Sequence, residues 1–251
     1  MPRHTPEEYL AAMVAVGDQR LRHTVIFEPQ DGAVNQELVG HSYVLPDAID
    51  GLRKIPGVDG GIVAAGSFLH AANVVEEILV DNPAALQGLR HHPEHDGVLD
   101  VAIPHTNWLV ADRVAPEGYA QEPDIIRSWQ AIGEVPLMRH VVLKLTDDTP
   151  ESRVSQALGD LREVMGEVAA RYTIIKPEVA HSIDRRKGDV LIVRTVWPDY
   201  DRYEHFEGTP WYTDVMHDLE GITDRRMDAM HTVDLPSQVL QRMRRIERAS
   251  A

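Results

Sequence analysis

A chain of 251 residues, 43% apolar and 26% charged, is long enough to bury a real core in one large domain or two ordinary ones. Its 40 acidic against 25 basic residues give a net charge of −15, which argues against a nucleic-acid binder and against docking on an anionic membrane. Cysteine is absent, which excludes disulfides, a thiolate nucleophile and cysteine-bound metal, and no apolar run approaches the ~18 residues of a membrane span.

The first residues, Met1-Pro2-Arg3-His4, lack the apolar core of a signal peptide, so a cytoplasmic location is expected. Thr5-Pro6-Glu7-Glu8 predicts a helix start: a cap, a proline at the first turn and two acids at the positive helix end. Residues 22–28 read as a strand, 29–40 as a loop and 46–55 as a short helix closed by Pro56-Gly57. A Gly-rich strand over 58–69 and a strand over 73–80 follow. Asp81-Asn82-Pro83 then starts a helix that runs into His91-His92-Pro93-Glu94-His95. A strand from His105 to Val110 closes this half. Residues 115–137 have linker composition, with a helical turn expected over 125–132.

The order then repeats. Residues 139–145 form a strand, and Asp147-Asp148-Thr149-Pro150-Glu151 opens a helix striped by Val154, Leu158, Leu161, Met165 and Val168. Strands are expected over 172–175, 190–197 and 227–233, with a helix from Pro198-Asp199 through Phe206 and a terminal helix from Leu235 ending in arginines. The expected division is an N-terminal helical segment (1–21), a first repeat (22–114), a linker (115–138), a second repeat (139–235) and a C-terminal helix (236–251). One offset of 117 residues places Arg22-His23 on Arg139-His140, residues 73–93 on 190–210, and His95 on Tyr212.

The strand Arg139-His140-Val141-Val142-Leu143-Lys144-Leu145 with its Thr-Asp-Asp-Thr-Pro-Glu helix start resembles the opening of stress-responsive dimeric α+β barrel (Dabb) domains. Ile55-Pro56-Gly57-Val58 and His92-Pro93-Glu94-His95 are similar to later landmarks of that family, and the resemblance spans most of 22–113 and 139–234. It implies an α+β fold: two ferredoxin-like repeats whose four-stranded antiparallel sheets pair within one chain as a pseudo-dimeric barrel. Such pairing covers sheet faces and edges that a lone copy leaves open. A fused barrel can stand alone or pair again as a homo-oligomer.

Family members include plant polyketide cyclases and hydroxynitrile lyases. In the cyclases the second His of His-Pro-x-His is an acid/base, helped by a Tyr and by the first-strand His. The resemblance therefore implies His95 and His23 as catalytic candidates in the first repeat, with Tyr212 and His140 at the matching places in the second. The helper Tyr position falls on Leu89 in the first copy and on Phe206 in the second, so this chain departs from the cyclase pattern in both.

Independently of the resemblance, an imidazole near pH 6.5 can move protons at neutral pH, and enolisation, cyclisation and lyase chemistry need little more than that and an oxyanion donor. Tyr43 and His70 are candidate donors, and His92 a candidate contact. Trp197, Phe206 and Trp211 lie in a run of 6 aromatic residues over 16 positions that reads as core or as the lining of an aromatic-substrate cavity. His91 and His95 are four apart and are the candidate metal ligands, with Glu76, Glu77 and His105 as outside partners; a centre needs three or four converging groups, so no metal or other cofactor is expected. No phosphate loop, nucleophile elbow or His-Glu-x-x-His motif is present. The expected function is a cofactor-independent lyase, cyclase or isomerase acting on a small aromatic or carbonyl-bearing molecule, in a His-bearing cavity of the first repeat. The alternatives are a non-catalytic small-molecule-binding or stress protein, and a metal- or haem-dependent oxygenase-like enzyme.

Overall fold

The computed structural model describes residues 4–29, 52, 54–65, 74–96 and 106–233. Helix α1 (Pro6–Val16) starts on a capping box. The Glu8 N–H donates to Thr5 Oγ1 at 3.2 Å and the Thr5 N–H donates to Glu8 Oε2 at 2.7 Å. The first half comprises β1 (Leu21–Pro29), β2 (Val58–Ala65), β3 (Val74–Val80), α2 (Pro83–Arg90) and β4 (Thr106–Val114). Helix α3 (Glu122–Ala131) leads to the second half: β5 (Leu137–Leu145), α4 (Glu151–Arg171), β6 (Ile175–His181), β7 (Val190–Trp197), α5 (Tyr200–Glu207), α6 (Pro210–Glu220) and β8 (Thr223–Thr232).

Each half is a four-stranded antiparallel sheet with the same topology, β2-β3-β1-β4 and β6-β7-β5-β8. That is the ferredoxin-like repeat expected, present twice. Local chemistry explains the matching helices. Asn82 and Asp199 each cap their helix by accepting a backbone N–H three residues on, at 2.9 and 2.8 Å. Gly57, at φ 80°, could not carry a side chain, because a β-carbon there would lie 2.6 Å from that of Ala85. The α4 stripe buries Val154, Leu161, Met165 and Val168 against the second sheet, as its spacing requires.

Several boundaries differ from the sequence reading. The strand expected over 172–175 is β6, because Tyr172 ends α4 and turns its ring onto Trp197 and Phe206, at 5.6 and 6.3 Å. The linker segment holds a full helix, α3, with Ile126 and Trp129 buried. The Gly208-Thr209-Pro210 segment opens a further helix, α6. Most of the expected helix over 46–55 and all of the terminal helix lie outside the described residues; Leu52 and Ile55 are buried in the first core.

Strand register fixes which residues of the two halves correspond. Leu21 pairs with Val80 and Leu137 with Trp197, so β3 matches β7 at an offset of 117 while β1 matches β5 at 116. A one-residue slip exchanges the two faces of a strand. His23 therefore corresponds to Arg139, and His140 to Thr24. The pairing of His23 with His140 read from the sequence is corrected: His23 faces the helices, and His140 faces the opposite sheet.

The two sheets pack face to face. One part of the interface is apolar, with Ile26, Val75, Leu109 and Ala111 against Val142, Ile192, Met227 and Ala229. The other part is a buried ionic cluster of Arg22, Arg113 and Arg194 with Glu77, Glu122 and Glu178. Glu77 accepts from Arg194 Nε at 3.0 Å, Arg113 Nη2 at 3.0 Å and Arg22 Nη1 at 3.3 Å, and its Oε2 lies 3.0 Å from His140 Nε2. Burial alone would raise the Glu77 carboxyl, but Arg194, Arg22 and His140 hold it well below its usual range. His231, its ring stacked on His140 at 5.9 Å, is pushed down to about 3 by burial and by His140.

Candidate functional site

β1 presents His23 on the helix-facing side, between Leu21 and Val25 of the first core. Its partner directly across on β4 is Asp112, fully buried. His23 Nδ1 lies 2.6 Å from Asp112 Oδ1, and Arg90 of α2 donates to Asp112 Oδ2. Burial would raise the Asp112 carboxyl, but His23 and Arg90 outweigh it and keep the group below its usual value. An ionised carboxylate only accepts, so Nδ1 carries the proton and, in the neutral ring, Nε2 carries the lone pair. Nε2 is buried and has no hydrogen-bond partner among the described residues.

His95 stands beside it, on a helical turn over residues 93–96. The His92 carbonyl accepts from the N–H groups of His95 and Asp96 and fixes this turn. The two imidazole centroids are 5.8 Å apart, with the rings inclined at 58°. His95 is only 3% exposed, and neither of its ring nitrogens has a partner among the described residues. Burial, then the neighbouring His23, push it down to about 4, so at neutral pH it is an uncharged ring with one N–H and one lone pair. Glu76, paired with Val25 on the same face, is also buried, with both carboxyl oxygens unpartnered among the described residues; burial raises it, against the pull of His23.

His23 and His95 line a cavity of about 430 Å³. Its wall includes Val25, Trp108 and Val110 of the first sheet and Val190 of the second. The segment between β6 and β7 closes one side with Asp184, Arg186, Lys187 and Gly188. That segment is tied to β4: the Ile183 N–H donates to the Asp112 carbonyl at 2.8 Å, and the Asp112 N–H donates to Ser182 Oγ at 3.1 Å. The cavity was expected within the first repeat; it is built from both halves.

The second half repeats the constellation with other residues. Arg139, in the place of His23, binds Asp228 at 2.6 and 2.8 Å, and its guanidinium lies 5.8 Å from the Tyr212 ring centre. The match of His95 with Tyr212 therefore holds in contact as well as in offset. Tyr212 is buried 4.5 Å from Phe206, which stacks on Trp197 at 5.0 Å, and Trp211 packs on the same cluster. Trp197, Phe206, Trp211 and Tyr212 form core, and none lines the cavity. His140, expected beside Tyr212, is held between the sheets by Glu77, away from both constellations.

The remaining sequence candidates divide as follows. His92 is half-buried and its Nδ1 accepts from the Glu94 N–H at 3.2 Å, so it shapes the turn. His91 ends α2 exposed while His95 is buried, so the two do not converge. Glu76 and Glu77 point to opposite faces of β3. Among the described residues no group of three or more His, Asp or Glu side chains is placed to hold a metal ion. Tyr43, His70 and His105 lie outside the described residues. The sequence reading missed Asp112, Arg90, Trp108 and the 182–189 segment. Asp112 could have been found by extending the last strand past Val110 and pairing it with the first; the Arg185-Arg186-Lys187-Gly188 run was visible as an isolated basic stretch.

Fold and site define a tandem ferredoxin-like α+β barrel with a histidine-bearing cavity among its described residues. No known family pattern matches the chain, and no curated protein matches it in sequence. Among solved structures, an anthrone oxidase-like protein superposes with a TM-score of 0.59 at 10% identity, covering 88% of this chain and 93% of its own. A protein from Fusobacterium nucleatum, provisionally named a monooxygenase, superposes with a TM-score of 0.54 at 8% identity, covering 87% and 94%. Both share this fold. No described helix is long and apolar enough to cross a membrane.

Proposed function

We propose that this protein is a cofactor-independent acid/base enzyme, a lyase, cyclase or isomerase, that takes a proton from a small aromatic or carbonyl-bearing molecule. The observation that carries this reading is the Asp112–His23 pair with its unpartnered Nε2 beside an equally unpartnered His95. Each buried polar atom without a partner costs about 1–3 kcal/mol, and here three ring nitrogens gather at one cavity wall. His140 and His231 also bury unpartnered ring nitrogens, but those do not line this cavity.

In this reading Asp112 orients His23 and stabilises the imidazolium formed when Nε2 accepts the substrate proton. The neutral His95 offers its N–H to the oxygen on which the charge develops, as an uncharged electrophile would. The names of the two similar folds favour a second outcome from the same step, in which the carbanion reacts with dioxygen.

The test is deuterium exchange, which needs no knowledge of the product. A panel of aryl ketones and 1,3-dicarbonyl compounds is incubated with the protein in D₂O, and loss of the acidic C–H signal is followed by NMR. His23→Asn should slow exchange roughly 10²- to 10⁴-fold. Exchange that is absent, or equal in the variant, overturns the proposal. Oxygen uptake during the same incubation selects the oxygenase outcome.

A further inference from the structure

The charge around the cavity is opposite to that of the chain. The protein carries −15, yet five of the cavity's lining residues are cations, Arg90, Lys144, Arg186, Lys187 and Arg225, against a single acid, Asp184. Structural pairing accounts for three of them. Arg90 binds Asp112 and Asp184, Arg186 binds Asp184, and Lys144 binds Asp224. Lys187 and Arg225 have no carboxylate partner among the described residues. Both are exposed, whereas His23 and His95 are buried, so the free cations stand at the mouth and the imidazoles at the floor.

Two details locate these cations relative to the sheet and the cavity. Lys144 and Arg225 face each other directly across β5 and β8, and like charges so opposed destabilise a sheet. Lys187 lies with Nζ 3.8 Å from the ring centre of Trp108, which fixes the ammonium against the apolar wall of the cavity. Trp108, Val25 and Val110 supply apolar lining to the same cavity. A volume of about 430 Å³ sits at the small end of ligand cavities.

We infer that the cavity takes a small planar molecule bearing a carboxylate, with the carboxylate held at Lys187 and Arg225 and the flat body against Trp108, its acidic C–H turned toward His23. The inference rests on the acid/base reading only for the last clause. Cations gathered against an acidic background focus the local potential, so such an anion is also drawn in faster than its neutral analogue.

The test uses two probes of one shape, sodium 2-naphthoate and the uncharged 2-naphthamide, titrated calorimetrically into the full chain. Naphthoate should bind at least tenfold more tightly than the amide, with an affinity that falls as salt rises. The K187Q/R225Q double variant, changed only at exposed positions, should lose at least tenfold for naphthoate and little for the amide, with an unchanged far-UV circular dichroism spectrum. Equal binding of the two probes, unchanged naphthoate affinity in the double variant, or no naphthoate binding at millimolar concentration overturns the inference. His23→Asn separates the two proposals. Retained naphthoate binding, with exchange chemistry absent or unaffected by the substitution, leaves the anion site standing and removes the acid/base reading.

Discussion

Replacing Glu77 with Gln tests the ionic cluster between the sheets. The substitution keeps size and shape but leaves Arg22, Arg113 and Arg194 facing only Glu122 and Glu178. One buried positive charge is then uncompensated, and such a loss costs about 3–5 kcal/mol. The same change at Glu167, whose bond to Arg171 is 3.2 Å but exposed, should cost under about 0.5 kcal/mol. The second arm is the Glu77→Met/Arg194→Met double variant. It removes one charge of each sign and leaves Arg22 with Glu122 at 2.8 Å and with Glu178 at 2.6 Å, and Arg113 with Glu178 at 2.8 Å. This variant should lie within about 1 kcal/mol of the parent or above it, because well-packed apolar groups often replace a buried pair without loss. Urea unfolding followed by far-UV circular dichroism gives all values, and the double-mutant cycle completed by the single variants Glu77→Met and Arg194→Met isolates the coupling. The reasoning fails if Glu77→Gln costs under about 1 kcal/mol, or if the double variant is no more stable than the weaker single one.

Histidine NMR should place the His95 midpoint near 4, and His23→Asn should move it upward because one of its three depressing influences, burial, His23 and Arg90, is gone. The folded value lies below the unfolded value near 6.5. The unfolded chain therefore binds the proton more readily, and the His95 contribution to stability is intact above about pH 6.5 and lost as pH falls toward 4; His95→Asn should flatten that part of the stability profile. Asp112→Asn frees the His23 tautomer and leaves Arg90 short of a carboxylate, so deuterium exchange should fall at least 10²-fold and the melting temperature should drop. Gly188, at φ 107°, has its would-be β-carbon 3.4 Å from Asp147 Oδ1; Gly188→Ala should cost about 1–3 kcal/mol and weaken naphthoate binding by displacing Lys187, and an unchanged melting temperature would refute the strain argument.

The sequence was most legible where the pattern was long and local. The gap-free match of 73–93 with 190–210 reappears as two helices with the same start and the same capping chemistry, and it correctly set His95 opposite Tyr212. It failed where two residues had to define a register. Arg-His occurs at the start of both β1 and β5, but hydrogen-bond pairing shifts one strand by a residue, and that shift carries His140 from the helix face to the sheet interface. Asp112 and Glu122 were invisible for a different reason. Their roles depend on partners 89 and 72 residues away, His23 and Arg194, and no local periodicity records such a contact. The aromatic run was ambiguous because rings that line a cavity and rings that fill one have the same spacing.

Glu77 and Arg194 occupy corresponding positions of the two repeats and bind each other at 3.0 Å. A dimer of identical chains would have to bring together two glutamates or two arginines there. Opposite charge at a self-facing position is open only to copies that differ, as two copies in one chain are free to do. Expressed apart, the halves should therefore reject their own kind and recognise each other, so that the ionic pair records the duplication and also enforces its asymmetry.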